Sequence, residues 1–539
     1  MALARIGFTA WSIGWCCLAT SIAVTARAED QPLTIDTGQI SGARSTSDAS
    51  VRAYKGVPYA AGPVGPLRWQ PPQPPEKWEG VRACTSFGPV CPQAPYPESS
   101  VYFQEPQPQS EDCLYLNVWT SAERSDEKLP VMVWIHGGAL TRGSGSLPIY
   151  DGTSLAKQGV VLVTLNYRLG PFGYLSHPLL SKESPHGASG NYGVLDQIAA
   201  LQWVQRNIVA FGGDPTRVTI FGESAGSWSV CALLATPLAE GLLQRAIGQS
   251  GGCFGLMPDL KSESHGQPPA EARGERLAAL LDCAGATDPL VAMRAKSAAD
   301  ILAATAKEPA GTRTAACVDG WVFPQEISQV YAAGKQAAVP VIVGSNADEG
   351  TSLFAGAVPA SRDVFLQSAA RKYGDLTDAF LKVYPVTSES DVRNAFLRSM
   401  RDEWFTWEMR SWALRTQQAG QTAFLYYFSH VPPRPDREQL GAYHAAEVPY
   451  VFDNLRLVPW QLEAADKALA AAISGAWVRF AASGNPQGGE LPAWAPYDPT
   501  AEPYLEFGDT IRPGQHLLKP ECDFFDEHMT RRRGGSPRS

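Results

Sequence analysis

The chain has 539 residues, of which 44% are hydrophobic and 18% are charged, and its formal net charge is −9. This hydrophobic content is enough for a large buried core, and the length allows several domains or one large domain with insertions. The acidic balance, and the lack of a basic run before the C-terminal tail, argue against nucleic acid as a partner.

The N-terminus has the residue order of a secretory signal peptide. Arg5 precedes an apolar stretch from Ile6 to Val24, and the small-residue site Ala26-Arg27-Ala28 follows. We therefore expect cleavage after Ala28, with residues 1–28 removed and the mature protein in the periplasm or secreted. An uncleaved membrane anchor fits less well because Thr, Ser and Gly interrupt the apolar stretch, so no stable membrane span is expected after cleavage.

Eight cysteines follow the predicted signal peptide. Because an exported chain meets an oxidising compartment, some of them are expected to pair, although their spacing alone does not select a connectivity. The sequence contains no CxxC motif or Cys/His cluster, so neither a metal nor another cofactor is expected. The eight are Cys84, Cys91, Cys113, Cys231, Cys253, Cys283, Cys317 and Cys522.

From Leu129 onward, short apolar runs alternate with helical stretches, which predicts an α/β fold with a large, mostly parallel sheet covered by helices on both faces. The runs are almost continuous in Val, Ile and Leu, as strands buried on both faces should be. The predicted strands are Val131–Ile135, Val160–Leu165, Val218–Phe221, Ala246–Gln249, Val339–Val343 and Phe424–Phe428. The predicted helices are Gly193–Ile208, Ala225–Ala235, Glu271–Leu281 and Ala464–Ala482.

The rest of the chain is predicted to add to one domain rather than to form others. Residues 32–60 alternate apolar and polar positions, which predicts a small antiparallel appendage. The Pro- and Gln-rich stretch Cys91–Ser110 is predicted to be a long surface loop. Without a linker or an internal repeat, we expect a single catalytic domain over residues 29–528 with helical insertions, followed by a disordered basic tail at 529–539.

The most informative motif is Phe221-Gly-Glu-Ser-Ala-Gly226, at the end of a predicted strand. A serine between two glycines, where a strand turns sharply into a helix, is typical of a nucleophile elbow and makes Ser224 a candidate nucleophile. The glycines matter because side chains at Gly222 or Gly226 would collide with the neighbouring turn. The alternative is an ordinary serine at the N-cap of the following helix.

A serine hydroxyl needs a base to take its proton and a carboxylate to orient that base. In such folds the chain order is serine, acid, histidine. His444 is the candidate base because the small-residue loop Gly441–Glu447 follows a predicted strand, and loops beyond strand ends display functional side chains. Glu349 and its neighbour Asp348 are the candidate acids, in a polar turn after another strand.

These three motifs and five further blocks, in the same order along the chain, resemble the type B carboxylesterases, the cholinesterase-like α/β-hydrolases, over about residues 35–525. The resemblance implies the α/β-hydrolase fold of a secreted bacterial-type carboxylesterase. It also implies a triad of Ser224, Glu349 and His444, since the family's acid is the glutamate of the Asp-Glu-Gly block. The further blocks are Glu111–Val118, Trp134–Gly138, Asn166–Arg168, Asn191–Gln197 and Phe211–Pro215.

The resemblance also implies a disulfide between Cys91 and Cys113, which closes the Pro-rich loop over the mouth of the site. A bond between Cys253 and Cys283 is a guess for a second bridge. Cys231, on the helix after the elbow, is expected to be a small buried apolar residue without a role.

The resemblance further implies that backbone N–H groups of the His136-Gly-Gly turn form the oxyanion hole. The residues are Gly137, Gly138 and Ala139, together with Ala225 after the serine. The family usually has a third glycine where Ala139 stands and a phenylalanine where Leu140 stands. Because alanine keeps its N–H, the hole is expected to survive, whereas the shape of the acyl pocket is expected to differ.

Several further residues are candidates around the triad. Ser250 is expected to be a hydrogen-bonding neighbour of His444 or Glu349, and Glu223 a structural charge beside them. Arg142 follows Ala139 by three residues and would favour a substrate that bears a carboxylate. The alternative for Arg142 is an ordinary exposed loop arginine.

The predicted function is hydrolysis of a small-molecule carboxylic ester through an acyl-enzyme intermediate. Three alternatives remain open: a catalytically silent binding or adhesion protein, a hydrolase of polycarboxylate esters of the fumonisin type, and a hydrolase of amides or carbamates. Cholinesterase activity is not expected, because the stretch between Cys91 and Cys113 has no tryptophan to hold a quaternary ammonium.

Overall fold

The computed structural model describes residues 1–2, 31–308 and 315–534. The predicted signal peptide falls almost entirely outside these ranges, as do the last five residues of the predicted tail. Contacts along the chain separate Met1–Gln31 from a unit formed by Pro32–Ser539, which contains every element below.

The described residues contain fourteen strands and eighteen α-helices, with a π-helical segment at Asp402–Thr406 between α13 and α14. The strands are β1 Leu33–Ile35, β2 Gly38–Ser41, β3 Ala43–Arg44, β4 Arg52–Pro58, β5 Val81–Ala83, β6 Tyr115–Thr120, β7 Leu129–Ile135, β8 Val161–Leu165, β9 Gly213–Glu223, β10 Arg245–Gln249, β11 Val341–Asn346, β12 Ala423–Phe428, β13 Pro503–Phe507 and β14 Ile511–Gln515. The helices are α1 Thr153–Lys157, α2 Gly170–Tyr174, α3 Pro178–Glu183, α4 Tyr192–Asn207, α5 Ala225–Ala235, α6 Ala270–Leu280, α7 Pro289–Arg294, α8 Ala298–Ala306, α9 Ile327–Ala332, α10 Glu349–Leu353, α11 Arg362–Tyr373, α12 Thr377–Val383, α13 Asp391–Arg401, α14 Trp407–Gln418, α15 Arg437–Leu440, α16 Val448–Val451, α17 Ala464–Ser483 and α18 Lys519–Arg532.

Eleven strands form one large sheet in the order β14-β13-β12-β11-β10-β9-β7-β8-β6-β4-β3. The strands from β13 to β8 in this order pair in parallel, and both edges of the sheet are antiparallel. Because parallel strands end at the same edge, the loops after β9, β11 and β12 lie beside one another.

Side chains alternate across the sheet and feed two hydrophobic clusters. In β7, Val131, Val133 and Ile135 belong to one cluster, and Met132 and Trp134 belong to the other. Helices α4, α5 and α14 contribute to the first cluster, whereas α16 and α17 contribute to the second. Both faces are therefore covered, which explains why the strands read as continuous apolar runs.

Two predictions about the ends of the chain need correction. The small N-terminal sheet is confirmed, but residues 32–60 contribute only β1 and β2 to it. Its third strand is β5, which pairs in parallel with β2, whereas β3 and β4 join the large sheet. Alternation identifies a strand but not its partner, so the pattern did not show this division.

The predicted tail also begins too early, because α18 continues through Arg532. Phe525 and Met529, four residues apart on one face of this helix, are buried in the core, which holds the helix against the domain. Arg533 then donates a hydrogen bond to the carbonyl of Phe254. In the described part of the chain, no helix is both long enough and apolar enough to cross a membrane.

Candidate active site

Ser224 lies at a sharp turn between β9 and α5. Its φ of 57° and ψ of −124° are unusual for a residue with a side chain, and such strain is typical of functional sites. Its backbone N–H donates to the carbonyl of Gln249 on β10 at 2.8 Å, which fixes the turn against the sheet. The local structure is therefore that of a nucleophile elbow.

The two glycines of the elbow are required by the close approach of β7. A Cβ at Gly226 would lie 1.9 Å from the carbonyl oxygen of Ile135, and one at Gly222 would lie 2.6 Å from the same atom. No side chain fits in either space, so the elbow packs tightly on the strand that leads into the His136-Gly-Gly turn.

Glu349 begins α10, just beyond the end of β11, and is completely buried. Its Oε1 accepts a hydrogen bond from the backbone N–H of Asn346 at 2.7 Å. Its Oε2 lies 2.6 Å from Nδ1 of His444. Asp348 faces elsewhere, because its Oδ2 accepts from the N–H of Ala442 at 2.9 Å. The structure thus brings Glu349, and not Asp348, to the imidazole.

His444 is 4% exposed and is contacted on several sides. The ring of Phe405, from the π-helical segment, lies 4.8 Å from the imidazole between centroids. Nε2 lies 3.1 Å from Oε1 of Glu223. The hydroxyl of Ser224 makes no hydrogen bond to any described residue, so the structure pairs the candidate base His444 with the candidate acid Glu349 but not with Ser224. Catalytic hydrogen bonds are often long before substrate binds.

Three buried carboxylates surround this imidazole. Burial raises the pKa of Glu223 to about 8 against the attraction of His444. Burial and Glu349 also raise the pKa of Glu447, which accepts hydrogen bonds from the side chains of Gln249 and Asn346. Burial disfavours the imidazolium, yet Glu223 and Glu349 outweigh it and raise the pKa of His444 to about 9. Glu223 is therefore a direct neighbour of His444.

The turn after β7 lies against the serine. A Cβ at Gly137 would lie 3.0 Å from Cβ of Ser224. Gly138, Ala139 and Leu140 have φ values of 103°, 55° and 57°. The N–H groups of Gly138 and Ala139 have no hydrogen-bond partner among the described residues. Free N–H groups in a run of left-handed conformations can bind an anion.

The chain matches the family model described as "Carboxylesterase family" over residues 29–525. The chain belongs to the carboxylesterase family. Over 533 residues it is 38% identical to a fumonisin B1 esterase from Sphingopyxis macrogoltabida, covering 96% of this chain and 94% of that protein. Over 471 residues it is 37% identical to the para-nitrobenzyl esterase of Bacillus subtilis, covering 84% and 90%.

A crystal structure of a Geobacillus stearothermophilus carboxylesterase at pH 6.2 has a TM-score of 0.79 to this chain at 34% identity. The match covers 92% of this chain and 99% of that chain. This carboxylesterase therefore has the α/β-hydrolase fold, with a large mixed sheet and a small N-terminal sheet, and it is a serine esterase.

The disulfides of this carboxylesterase match the sequence predictions only in part. Cys91 is bonded to Cys113, the pair that the resemblance implies. The guess that pairs Cys253 with Cys283 is wrong, because Cys253 is bonded to Cys231 and Cys283 is a buried free thiol. Cys231 therefore has a role: it ties the helix that follows Ser224 to the segment after β10. Nothing in the cysteine spacing pointed to this bond.

Ser250 also differs from its prediction. Its Oγ is buried and makes no hydrogen bond within the described residues, so it is not a hydrogen-bonding neighbour of His444 or Glu349. Its backbone adopts a φ of 54°, and its N–H donates to the carbonyl of Gly344 at 2.8 Å. In the structure this position therefore serves the backbone turn after β10 rather than the triad.

Sequence reasoning missed two contacts of the base, those of Tyr102 and Phe405. Tyr102 lies in the Pro-rich loop, where no motif marks it, and its ring centroid is 6.4 Å from that of His444. Phe405 gave no signal, since a π-helical segment has no sequence signature. Among the described residues, no group of three or more His, Cys, Asp or Glu side chains is placed to hold a metal ion.

Proposed function

We propose that Ser224, His444 and Glu349 are the catalytic triad of this esterase, and that Ser224 carries the acyl group. The observation that supports this most strongly is the buried pair of His444 Nδ1 and Glu349 Oε2 at 2.6 Å. The pair lies on loops after β11 and β12, at the sheet edge where the strained elbow presents Ser224. A base oriented by a carboxylate beside an elbow serine is the arrangement that acyl transfer requires.

In this mechanism, Ser224 Oγ attacks the ester carbonyl carbon while Nε2 of His444 takes the hydroxyl proton. The N–H groups of Gly138, Ala139 and Ala225 stabilise the negative oxygen of the tetrahedral intermediate. Its collapse breaks the bond to the alcohol oxygen, which receives the proton from Nε2. Water then attacks the acyl-enzyme in the same way and releases the acid.

Two local changes must precede the attack. Oγ of Ser224 must come within hydrogen-bonding distance of Nε2, and Nε2 must be unprotonated, because a protonated Nε2 cannot act as a base. Since the carboxylates raise the pKa of His444, the active form is favoured as the pH rises. Oε1 of Glu223, 3.1 Å from Nε2, stabilises the protonated imidazole and so opposes this loss of the proton.

Labelling with a fluorophosphonate tests this assignment. We expect one adduct per folded chain, located by mass spectrometry on the peptide that contains Ser224, because these probes phosphonylate an activated serine. The labelling rate should increase with pH as His444 loses its proton. Heat-denatured protein should not react, and Ser262→Ala, which removes an exposed serine, should label like the wild type. A native protein without an adduct at Ser224 would support the alternative of a catalytically silent binding protein.

A second candidate function is the hydrolysis of polycarboxylate esters, and Arg142 is the observation that favours it. Its guanidinium lies 4.8 Å from the ring centroid of Tyr96, which itself lies 5.8 Å from the ring of Tyr102 beside His444. Arg142 makes no salt bridge within the described residues. A half-buried guanidinium without a carboxylate partner is suited to a substrate carboxylate, and the backbone of Arg142 lies on the turn of Gly138, to whose carbonyl its N–H donates at 3.0 Å. The similarity to a fumonisin B1 esterase agrees with this candidate.

The variant Arg142→Gln tests this substrate class. For a monoester of a tricarboxylic acid we expect kcat/KM to fall by about 10- to 100-fold, since a hydrogen bond to a charged group contributes about 1.5–3 kcal/mol. For the neutral p-nitrophenyl acetate we expect a change of less than about threefold, which serves as the internal control. Arg142→Lys should keep part of the preference because the charge remains. Equal losses on both esters would contradict a role in carboxylate binding.

The same triad also suits amides and carbamates, whose carbonyl groups pass through similar intermediates. We further propose that the esterase is exported to the periplasm or secreted. The two disulfides support this, because disulfides persist in oxidising compartments.

A further inference from the structure

The disulfide Cys91–Cys113 closes a loop, here called the strap, that contacts the site at two places. At one, the side-chain amide of Gln93 makes paired hydrogen bonds with Gly143: Nε2 donates to the carbonyl at 2.9 Å, and Oε1 accepts from the N–H at 2.7 Å. Gly143 packs on His136, since a Cβ there would lie 2.4 Å from His136 Nδ1. The strap is therefore hydrogen-bonded to the turn that carries the oxyanion-hole candidates.

At the other place, Tyr102 of the strap contacts the base. Its hydroxyl donates to the backbone carbonyl of His444 at 3.1 Å, and lies 2.7 Å from Oγ of Ser352. A carbonyl only accepts and a phenol has one hydrogen. Ser352 must therefore be the donor to Tyr102, which gives a directed chain from Ser352 through Tyr102 to His444.

This chain connects the element that carries the acid with the element that carries the base. Ser352 lies on α10, three residues after Glu349, and His444 lies on the loop after β12. The only other side-chain tie from α10 to His444 among the described residues is the catalytic pair itself, His444 Nδ1 to Glu349 Oε2. Other hydrogen bonds join neighbouring residues of the two elements, such as Thr351 Oγ1 to the carbonyl of Leu440 and Asp348 Oδ2 to the N–H of Ala442. The chain through Tyr102 is the one that reaches the backbone of His444 itself, without touching the reacting nitrogen.

The environment of Tyr102 keeps its hydroxyl a donor. Its ring packs edge-on against the imidazole with centroids 6.4 Å apart. Burial, with nearby Glu223 and Glu349, raises its pKa well above the usual range, against the hydrogen bond from Ser352. The hydroxyl therefore stays protonated throughout the pH range in which the groups around His444 titrate.

We propose that Tyr102 is a positioning residue that holds the loop bearing His444 against the helix bearing Glu349, so that the strap determines the turnover rate of the esterase. This inference rests on the triad proposed above. Tyr102 does not touch the reacting atoms in this role; it acts through the position of the imidazole. Small errors in the placement of a catalytic group are costly, and a displacement of about 1 Å can lower a rate by about 10²-fold.

The test is Tyr102→Phe, which removes the hydroxyl and keeps the ring. We expect kcat per titrated site to fall by about 10-fold or more, with KM within about threefold, because the imidazole is misplaced while the binding surface remains. Sites are counted by fluorophosphonate titration. In the plot of kcat against pH, the rise on the acid side should move to lower pH. The reason is that a looser hydrogen bond to Glu349 raises the pKa of His444 less than the bond in the wild type does. Loss of folded protein alone would not move this rise.

Tyr115→Phe is the matched control. Its hydroxyl donates to a carboxylate oxygen of Asp112 at 3.1 Å, at an exposed position beside the base of the strap. The same phenolic hydroxyl is removed, together with the one hydrogen bond that it donates, away from the triad. We expect kcat within about twofold of the wild type.

Ser352→Ala provides a second route to the same conclusion if Tyr102→Phe folds poorly. It should cause a smaller loss in kcat, and the double variant should lose no more than Tyr102→Phe alone, since both hydroxyls belong to one chain. Additive losses, or a kcat of Tyr102→Phe within twofold of the wild type, would overturn the proposal. Failure of the triad itself would be distinguishable, because the wild-type esterase would then not be labelled at Ser224.

Discussion

Replacing Ser224 with alanine is expected to lower kcat for p-nitrophenyl acetate by about 10⁵-fold or more, because loss of the nucleophile from a triad removes nearly all of its catalysis. No acyl-enzyme can form, so a burst phase and fluorophosphonate labelling should both disappear. The fold should survive, since the Ser224 hydroxyl makes no hydrogen bond to a described residue and alanine keeps the backbone N–H that binds Gln249.

The matched control is Ser262→Ala, the same substitution at an exposed position, which should retain full activity. Thermal unfolding of both variants should resemble that of the wild type. If purified Ser224→Ala kept more than about a hundredth of the wild-type kcat, another nucleophile would have to be responsible, and the elbow assignment would be wrong.

Replacing Glu349 with glutamine is expected to lower kcat by about 10³- to 10⁴-fold, through the wrong tautomer of His444. The backbone N–H of Asn346 binds Oε1 of Glu349, so the amide oxygen of the glutamine would remain there and its NH₂ group would face Nδ1 of His444. A donor at that position requires a lone pair on Nδ1. The proton then moves to Nε2, the atom that must accept the proton of Ser224.

Asp348→Asn is the comparison that separates the two candidate acids. Asp348 accepts a backbone hydrogen bond from Ala442 and does not contact the imidazole, so its replacement should affect the loop more than the chemistry. We expect kcat to fall by less than about tenfold, with a lower unfolding temperature. A larger loss of kcat in Asp348→Asn than in Glu349→Gln would reverse the assignment.

Local patterns predicted most of the sheet and its covering helices. Helix Ala225–Ala235 was predicted with its observed bounds, and Ala464–Ala482 ends one residue short of the observed helix. Strand β9 is longer than predicted, because it begins at Gly213-Asp214-Pro215, residues that rarely favour strands. Pairing of Gly213 with Leu129 places this segment in the sheet, and such pairing is not visible in a local pattern.

The candidate site could be selected from the sequence where a residue type and its place along the chain were enough. Ser224, Glu349 and His444 follow strand ends and match family motifs, so their positions could be selected before their contacts were known. The bond between Cys231 and Cys253 and the contacts of Tyr102 and Phe405 with His444 each join segments that are brought together only by folding. None of them has a spacing that a sequence pattern could show.

The positions of the strand ends in the sheet do not depend on the length of the segments that connect the strands. Strands β10 and β11 are hydrogen-bonded neighbours, although residues 250–340 lie between them in the chain, and residues 347–422 likewise leave the sheet and return to the adjacent strand β12. Such connecting segments can become longer or shorter, or be exchanged between relatives, while the strand ends stay in place. Substrate selectivity can therefore evolve, or be engineered, by exchanging whole connecting segments while the sheet stays unchanged.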